Sequence, residues 1–201
     1  MFLFILQLSR HHHINLNLSN NELIMILTVL IMIVEVFRAQ IWRVKTSLLN
    51  ISTVIFSFVW LGIMLGSLVE LRNLPGIGYK ITLVTFLSVW ICDTSAFLFG
   101  KKFGNEKILP FVSPNKTWLG TLSGLVSSIV FLVLLYGLDY FNGTFSMINV
   151  LVIGVITGGI GQFGDWAESL LKRESGIKDT SNLLKGHGGI LDRFDSLAFS
   201  A

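Results

Sequence analysis

Apolar runs of about 20 residues recur along this 201-residue chain, and a helix of that length crosses a hydrocarbon layer about 30 Å thick. Inside such a layer every backbone polar group must find its partner within the protein, which a helix does within one segment. The expected fold is therefore all-α, a polytopic transmembrane helix bundle. Spans are expected at about 22–37, 48–69, 80–100, 117–138 and 147–171. A sixth begins near residue 190 and is cut off at Ala201, so the expectation is five full spans plus a truncated C-terminal one. The first span is short and reads as tilted or partly re-entrant. Only 13% of residues are charged, against roughly 25% in soluble domains, and mean hydropathy is +0.72.

The charges that remain are patterned. Segment 38–47 holds Arg38, Arg43 and Lys45; 101–116 holds Lys101, Lys102, Lys107 and Lys116; 172–189 holds Lys172, Arg173, Lys178 and Lys185. The intervening segments 70–79 and 139–146 hold only Arg72 between them. Basic residues concentrate in cytoplasmic loops, so the first three segments are assigned to the cytoplasm and the other two to the outside. The net charge of +3 is thus a topology signal and not a sign of a nucleic-acid partner. A single cysteine, Cys92, excludes a disulfide framework. Residues 1–21 read as a polar tail: MFLFILQL is too short to span, and His11, His12 and His13 stand among asparagines. Residues 22–201 read as one membrane-embedded domain.

Acids fall inside or at the ends of these spans: Glu35, Asp93, Asp165, Glu168, Asp192 and Asp195. Each would cost about 2.5–3.5 kcal/mol at a span centre, so such acids face a cavity or a partner. Asp93 lies seven residues before Gly100, and Asp165 seven before Lys172, each roughly 10 Å from the cytoplasmic end at 1.5 Å per residue. Asp192 lies three residues past Gly189, roughly 5 Å into its helix. Three acids on three helices at similar depth suit a divalent cation that takes carboxylate and phosphate oxygens. Asp165, Glu168, Ser169 and Lys172 share one helix face, and Asp192, Asp195, Ser196 and Phe199 repeat that spacing. The bland alternative is that Arg173 or Arg193 neutralises these acids and the pairs merely fasten helices. Glu35, near the end of its own span, reads as an interfacial charge.

Gly159, Gly161 and Gly164 spell a dinucleotide-binding pattern, but that motif requires a preceding strand. Within an apolar helix, small residues let helices approach closely. Gly186, Gly188 and Gly189 flank His187 just before a helix start, where backbone N–H groups suit phosphate. In SPNKTW, residues 113–118, Ser113 or Pro114 opens a turn, Thr117 is placed to cap a helix, and Lys116 reads either as a phosphate contact or as a topology marker.

Together these residues resemble the phosphatidate cytidylyltransferase family, the CDP-diacylglycerol synthases. The family's C-terminal signature appears as SLLKRESGIKDTSNLLKGHGGILDRFD, residues 169–195, with WICDTSAFLFGKKFG (90–104) and SPNKTW upstream. The resemblance covers residues from about 50 to the C-terminus. It implies CTP and membrane phosphatidate as substrates, and CDP-diacylglycerol and pyrophosphate as products. It also implies Mg²⁺ held by Asp165 and Asp192, with Asp93, Asp179 and Asp195 lining the same polar cavity and Asp93 close enough to join the metal set. Lys116, Lys172, Arg173, Lys178 and Arg193 would hold the triphosphate and the lipid headgroup. Ser113, His187, Gly188 and Gly189 complete the substrate-binding set. An integral protein of the bacterial inner membrane, active site toward the cytoplasm, is the implied setting, and the Gly-rich spans leave a homodimer open. Leu119 stands where the family usually has Glu, and Lys185 where Pro or Gly is common. An inactive or fragmentary relative, a CTP-dependent lipid-alcohol kinase and an ion transporter remain as competing readings.

Overall fold

The computed structural model describes residues 19–43, 45–177, 180 and 191–201. The chain divides into two compact units, Met1–Glu70 and Leu71–Ala201. In the first, helix α1 (Asn20–Trp42) opens on a capping box. The Glu22 N–H donates to Ser19 Oγ at 3.3 Å, and the Ser19 N–H donates to Glu22 Oε2 at 2.6 Å. The helix continues past the expected end at 37, because the charges there are satisfied internally. Arg38 grips Glu35 through Nε at 2.9 Å and Nη2 at 2.8 Å, and the Asn50 amide donates to the same carboxylate at 3.1 Å. Glu35 is accordingly buried instead of standing free at a span end, and the 23-residue helix needs no re-entrant turn. Helix α2 (Ser47–Arg72) widens into a π-helical stretch at Phe58–Met64, where Trp60 is buried edge-on against Phe56.

The second unit carries α3 (Gly78–Phe103), an antiparallel ribbon of β1 (Lys107–Leu109) and β2 (Ser113–Thr117), α4 (Trp118–Gly137), α5 (Met147–Glu174) and α6 (Leu191–Ser200). Thr117 ends the ribbon and caps α4, its Oγ1 accepting from the Gly120 N–H at 3.1 Å. Ser146 caps α5 through the Asn149 N–H at 3.3 Å. Within α5 the turn widens to π geometry at Ile156–Ile160, which accommodates one extra residue before the helix resumes.

Small residues set the helix spacing. A Cβ on Gly124 of α4 would lie 2.9 Å from Cys92 Sγ of α3, and one on Gly158 of α5 would lie 2.7 Å from Ser128 Cβ of α4. Backbones approach this closely only where there is no side chain. At the centre, Ser88 of α3, Ser128 of α4 and Thr157 of α5 are fully buried and mutually hydrogen-bonded at 2.6–2.8 Å. An apolar cluster of Val84, Leu132, Phe141 and Val150 packs nearer the 138–146 turn. There Lys80 Nζ donates to the Tyr140 carbonyl at 2.8 Å.

Five helices, α1 to α5, are long and apolar enough to cross a membrane, and large apolar side chains such as Phe97, Leu122, Val126 and Val152 face outward. The chain is an integral membrane protein, as the recurrent runs indicate. The ribbon was not anticipated. Its strands are three and five residues long and lie within a segment read only as a basic loop.

Candidate active site

The acids and lysines converge where α3, the ribbon, α5 and α6 meet. Two features of α5 bring this about. Asp165, Glu168 and Lys172 lie on one face by helical periodicity. One residue earlier, Gly164 lets the α6 backbone close in: a Cβ there would lie 2.8 Å from the carbonyl carbon of Asp195 and 3.0 Å from Phe199 Cδ2. Asp195 is thereby set against the acidic face of α5. Carboxylate oxygens of Asp165, Glu168 and Asp195 all lie within 4.8 Å of one another. Glu168 is 1% exposed and Asp195 is buried. Among the described residues, Glu168 Oε1 is a buried oxygen with no hydrogen-bond partner.

Two lysines flank the cluster. Lys116, at the end of β2, forms an ion pair with Asp165. Lys172 Nζ bridges Glu168 Oε2 at 2.9 Å and Asp192 Oδ1 at 2.8 Å. Asp192 also accepts from the Thr180 N–H at 3.1 Å and its hydroxyl at 2.7 Å. The Ser196 N–H donates to Asp195 Oδ1 at 2.7 Å. Burial alone would lower the Lys116 pKa, but Asp165, Asp93 and Asp195 more than offset that, so it lies above the ordinary lysine value. The ammonium is therefore charged at physiological pH.

Among the described residues, Asp93, Asp165, Glu168, Asp192 and Asp195 make five acids here, beside the two ammonium groups of Lys116 and Lys172. Like carboxylates crowded in a low-dielectric site ionise together only with further positive charge. The donors are all hard oxygens, which suits Mg²⁺ better than a soft transition metal. The orphaned Glu168 oxygen and the clustered carboxylates thus fit a divalent cation.

Of the residues expected in the metal set, Asp165 belongs to the three-carboxylate cluster. Asp93 stands on α3, near enough to Lys116 to interact with it electrostatically. Asp192 is held one turn away from Asp195 by Lys172 and Thr180. Arg173 turns elsewhere, its Nε donating to the Val112 carbonyl in the ribbon at 3.4 Å. Ser113, half-buried, begins β2. Lys178, Asp179, Lys185, His187, Gly188, Gly189 and the Arg193 side chain lie outside the described residues. Glu168 and Thr180 were not in the expected set. The signal for Glu168 was its place three residues after Asp165 on the same face; nothing in the local sequence singled out Thr180.

Lys116 also lines a second feature, a pocket of about 440 Å³ between the end of α3 and the ribbon. Phe97, Lys101, Lys107 and Asn115 contribute to its walls, and none of the clustered acids does.

A sequence profile of the cytidylyltransferase family matches residues 1–201. A Staphylococcus saprophyticus protein named phosphatidate cytidylyltransferase is 40% identical over 156 residues, covering 77% of this chain and 58% of that protein. Its namesake from Staphylococcus aureus shows the same identity and coverage. One from Haemophilus influenzae is 40% identical over 125 residues, covering 61% of this chain and 43% of its own length. The chain therefore spans about half the length of the curated relatives it matches, from 43% to 58% of those named here.

Proposed function

The chain belongs to the cytidylyltransferase family, and from that premise we propose that it transfers CMP from CTP to phosphatidate, giving CDP-diacylglycerol and pyrophosphate. The observation that carries the reading is the convergence of Asp165, Glu168 and Asp195 between Lys116 and Lys172 at one end of an apolar bundle. In the reaction, a phosphate oxygen of phosphatidate forms a bond to the α-phosphorus of CTP. The bond from that phosphorus to the oxygen bridging to the β-phosphate breaks, and its electron pair leaves with pyrophosphate. The nucleophile is already ionised, so the site needs positioning and charge neutralisation more than a strong base.

Those are the tasks its residues suit. Asp165, Glu168 and Asp195 would hold Mg²⁺, with Asp93 and Asp192 at the margin of the set. When bound, Mg²⁺ supplies neutralisation of the triphosphate and of the departing pyrophosphate. Lys172, bridging Glu168 and Asp192, fixes α5 against α6 and offsets the repulsion between two carboxylates. Lys116, charged and tied to Asp165, is placed to meet phosphate oxygens beside the cation. The asymmetry of basic residues between loops supports a cytoplasmic site, and the bacterial relatives support an inner-membrane location.

The test is to incubate membranes bearing this chain with CTP, phosphatidate and Mg²⁺, and to measure pyrophosphate and CDP-diacylglycerol. Both should form, and both should be lost in Asp165→Asn. Release of CDP with no pyrophosphate would point to a kinase, and no product at all would refute the transferase reading.

A further inference from the structure

We propose that the pocket between the end of α3 and the ribbon holds the phosphomonoester headgroup of the acceptor lipid, so that the two substrates meet across Lys116. The proposal deepens the transferase reading and rests on it. Lys101, Lys107 and Lys116 supply three cations and Asn115 an amide, while no acid among the described residues lines the cavity. That composition suits a phosphate dianion, which takes several charge-assisted N–H donors at once. It does not suit a nucleotide travelling with a divalent cation, whose carboxylate ligands lie on the other side of Lys116.

The remaining walls say what the phosphate is attached to. Ala96 and Phe97 are apolar, and Lys101 Nζ rides over the Phe97 ring at 5.5 Å from its centre. Leu98, Phe99 and Phe103, on the same end of α3, are all exposed. An acyl chain leaving the pocket would thus run along apolar surface, whereas a water-soluble phosphate ester would gain nothing from it. Lys116 joins the compartments: its ammonium pairs with Asp165 and also forms part of the pocket wall. A headgroup seated there is adjacent to the carboxylate cluster, where the α-phosphorus must come.

The experiment uses the full chain in detergent micelles or lipid nanodiscs, with dioctanoyl phosphatidate and Mg·CTP as separate ligands. In the double variant Lys101→Gln/Lys107→Gln, phosphatidate should bind at least about tenfold more weakly, the loss of charge-assisted contacts, while CTP affinity is unchanged. Lys101→Arg/Lys107→Arg should retain lipid binding, and helix content by circular dichroism should be equal in all three proteins. Phosphatidylmethanol, a diester of lower charge, should bind less tightly than phosphatidate. Glycerophosphate, which offers the same phosphate without chains, should compete poorly.

Weakened CTP binding in the glutamine variant would assign the pocket to the nucleotide and overturn the proposal. Unchanged phosphatidate binding, or no binding of phosphatidate by the parent chain, would overturn it too. Competition by glycerophosphate equal to that of the lipid would leave a phosphate site but refute its lipid assignment. The two readings fail differently. Lipid binding lost with the lysines, but no CDP-diacylglycerol formed by the parent, sinks the transferase and keeps the pocket. Product formed, with the glutamine variant's KM for phosphatidate unchanged, does the reverse.

Discussion

Adding one methyl group at Gly164 should disable the site without removing any functional side chain. The Cβ of Gly164→Ala would lie 2.8 Å from the Asp195 carbonyl carbon. Two carbons rest at about 3.5 Å or more, and the Asp195 carbonyl oxygen would lie closer still, so α5 and α6 must part by at least about 0.7 Å. The obstruction is main chain, so no rotamer change relieves it. Such overpacking costs about 1–3 kcal/mol. The displaced helix carries Asp195, whose oxygens must converge with those of Asp165 and Glu168. A misplacement near 1 Å can cost on the order of a hundredfold in rate, so kcat for CDP-diacylglycerol formation should fall by about 10- to 100-fold. The control is in the same run of glycines: a Cβ on Gly159 meets only Leu125 Cδ1, at an ordinary 3.6 Å. Both variants should be assayed in proteoliposomes for kcat and KM, with thermal unfolding followed in parallel. Gly159→Ala should resemble the parent in both. Equal activity of the two alanine variants would refute the claim that the α5–α6 approach positions the carboxylates.

Glu168→Gln keeps the side chain's size but removes a carboxylate from the cluster. Mn²⁺ affinity, read by electron paramagnetic resonance, should drop by more than the ~10- to 100-fold typical of an outer-shell partner, and unchanged affinity would exclude Glu168 as a ligand. Lys116→Ala should mainly raise KM for a phosphate-bearing substrate; an unchanged KM would return Lys116 to a topology marker. Because the Lys116 pKa is raised by Asp165 and its neighbours, the stability it adds is complete below the ordinary lysine value and lost only as pH climbs through the higher folded-state value. The stability difference between parent and Lys116→Ala should accordingly be the same at about pH 8 and about pH 9, and a difference that shrinks over that range would contradict the assignment. Ser128→Ala breaks two of the three hydroxyl contacts in the bundle core and should cost about 0.6–2 kcal/mol of unfolding free energy in micelles.

The bundle was legible because its cause is local: an apolar run long enough to span has few alternatives to a helix. The acids were legible for the same reason, since a carboxylate in such a run demands an explanation. Depth along each helix could be counted in residues, and it brought Asp93 and Asp165 to one level. Rotation could not be counted as well. Asp192 and Asp195 share a face by spacing, and nothing in that spacing says which joins Asp165 and which meets Lys172. The choice depends on where α5 and α6 cross, which Gly164 decides through a contact across the fold. The ribbon was hidden differently, because Pro110 and Pro114 interrupt any alternation across so few residues. The length of α1 was hidden by Glu35 and Arg38, which look like a boundary until they are seen to neutralise each other.

The wide turn at Ile156–Ile160 bears on how sequences of this kind are compared. It holds one residue more than an α-helical path would, immediately upstream of Asp165, Glu168 and Lys172. Deleting a single residue there would leave hydropathy, charge and every acidic position intact. Because the wide turn already absorbs the extra residue, that deletion would let it close to α geometry and leave the acids facing α6. The same deletion in the regular helix after Gly161 would swing them by about 100°, the angle of one residue in an α-helix. A homologue one codon shorter within the turn would keep its acids in place, while one shorter between Gly161 and Asp165 would pass any inspection of its carboxylates and still be inert. In distinguishing working copies from silent ones, the place at which a residue is lost between Thr157 and Asp165 is as informative as the acids themselves.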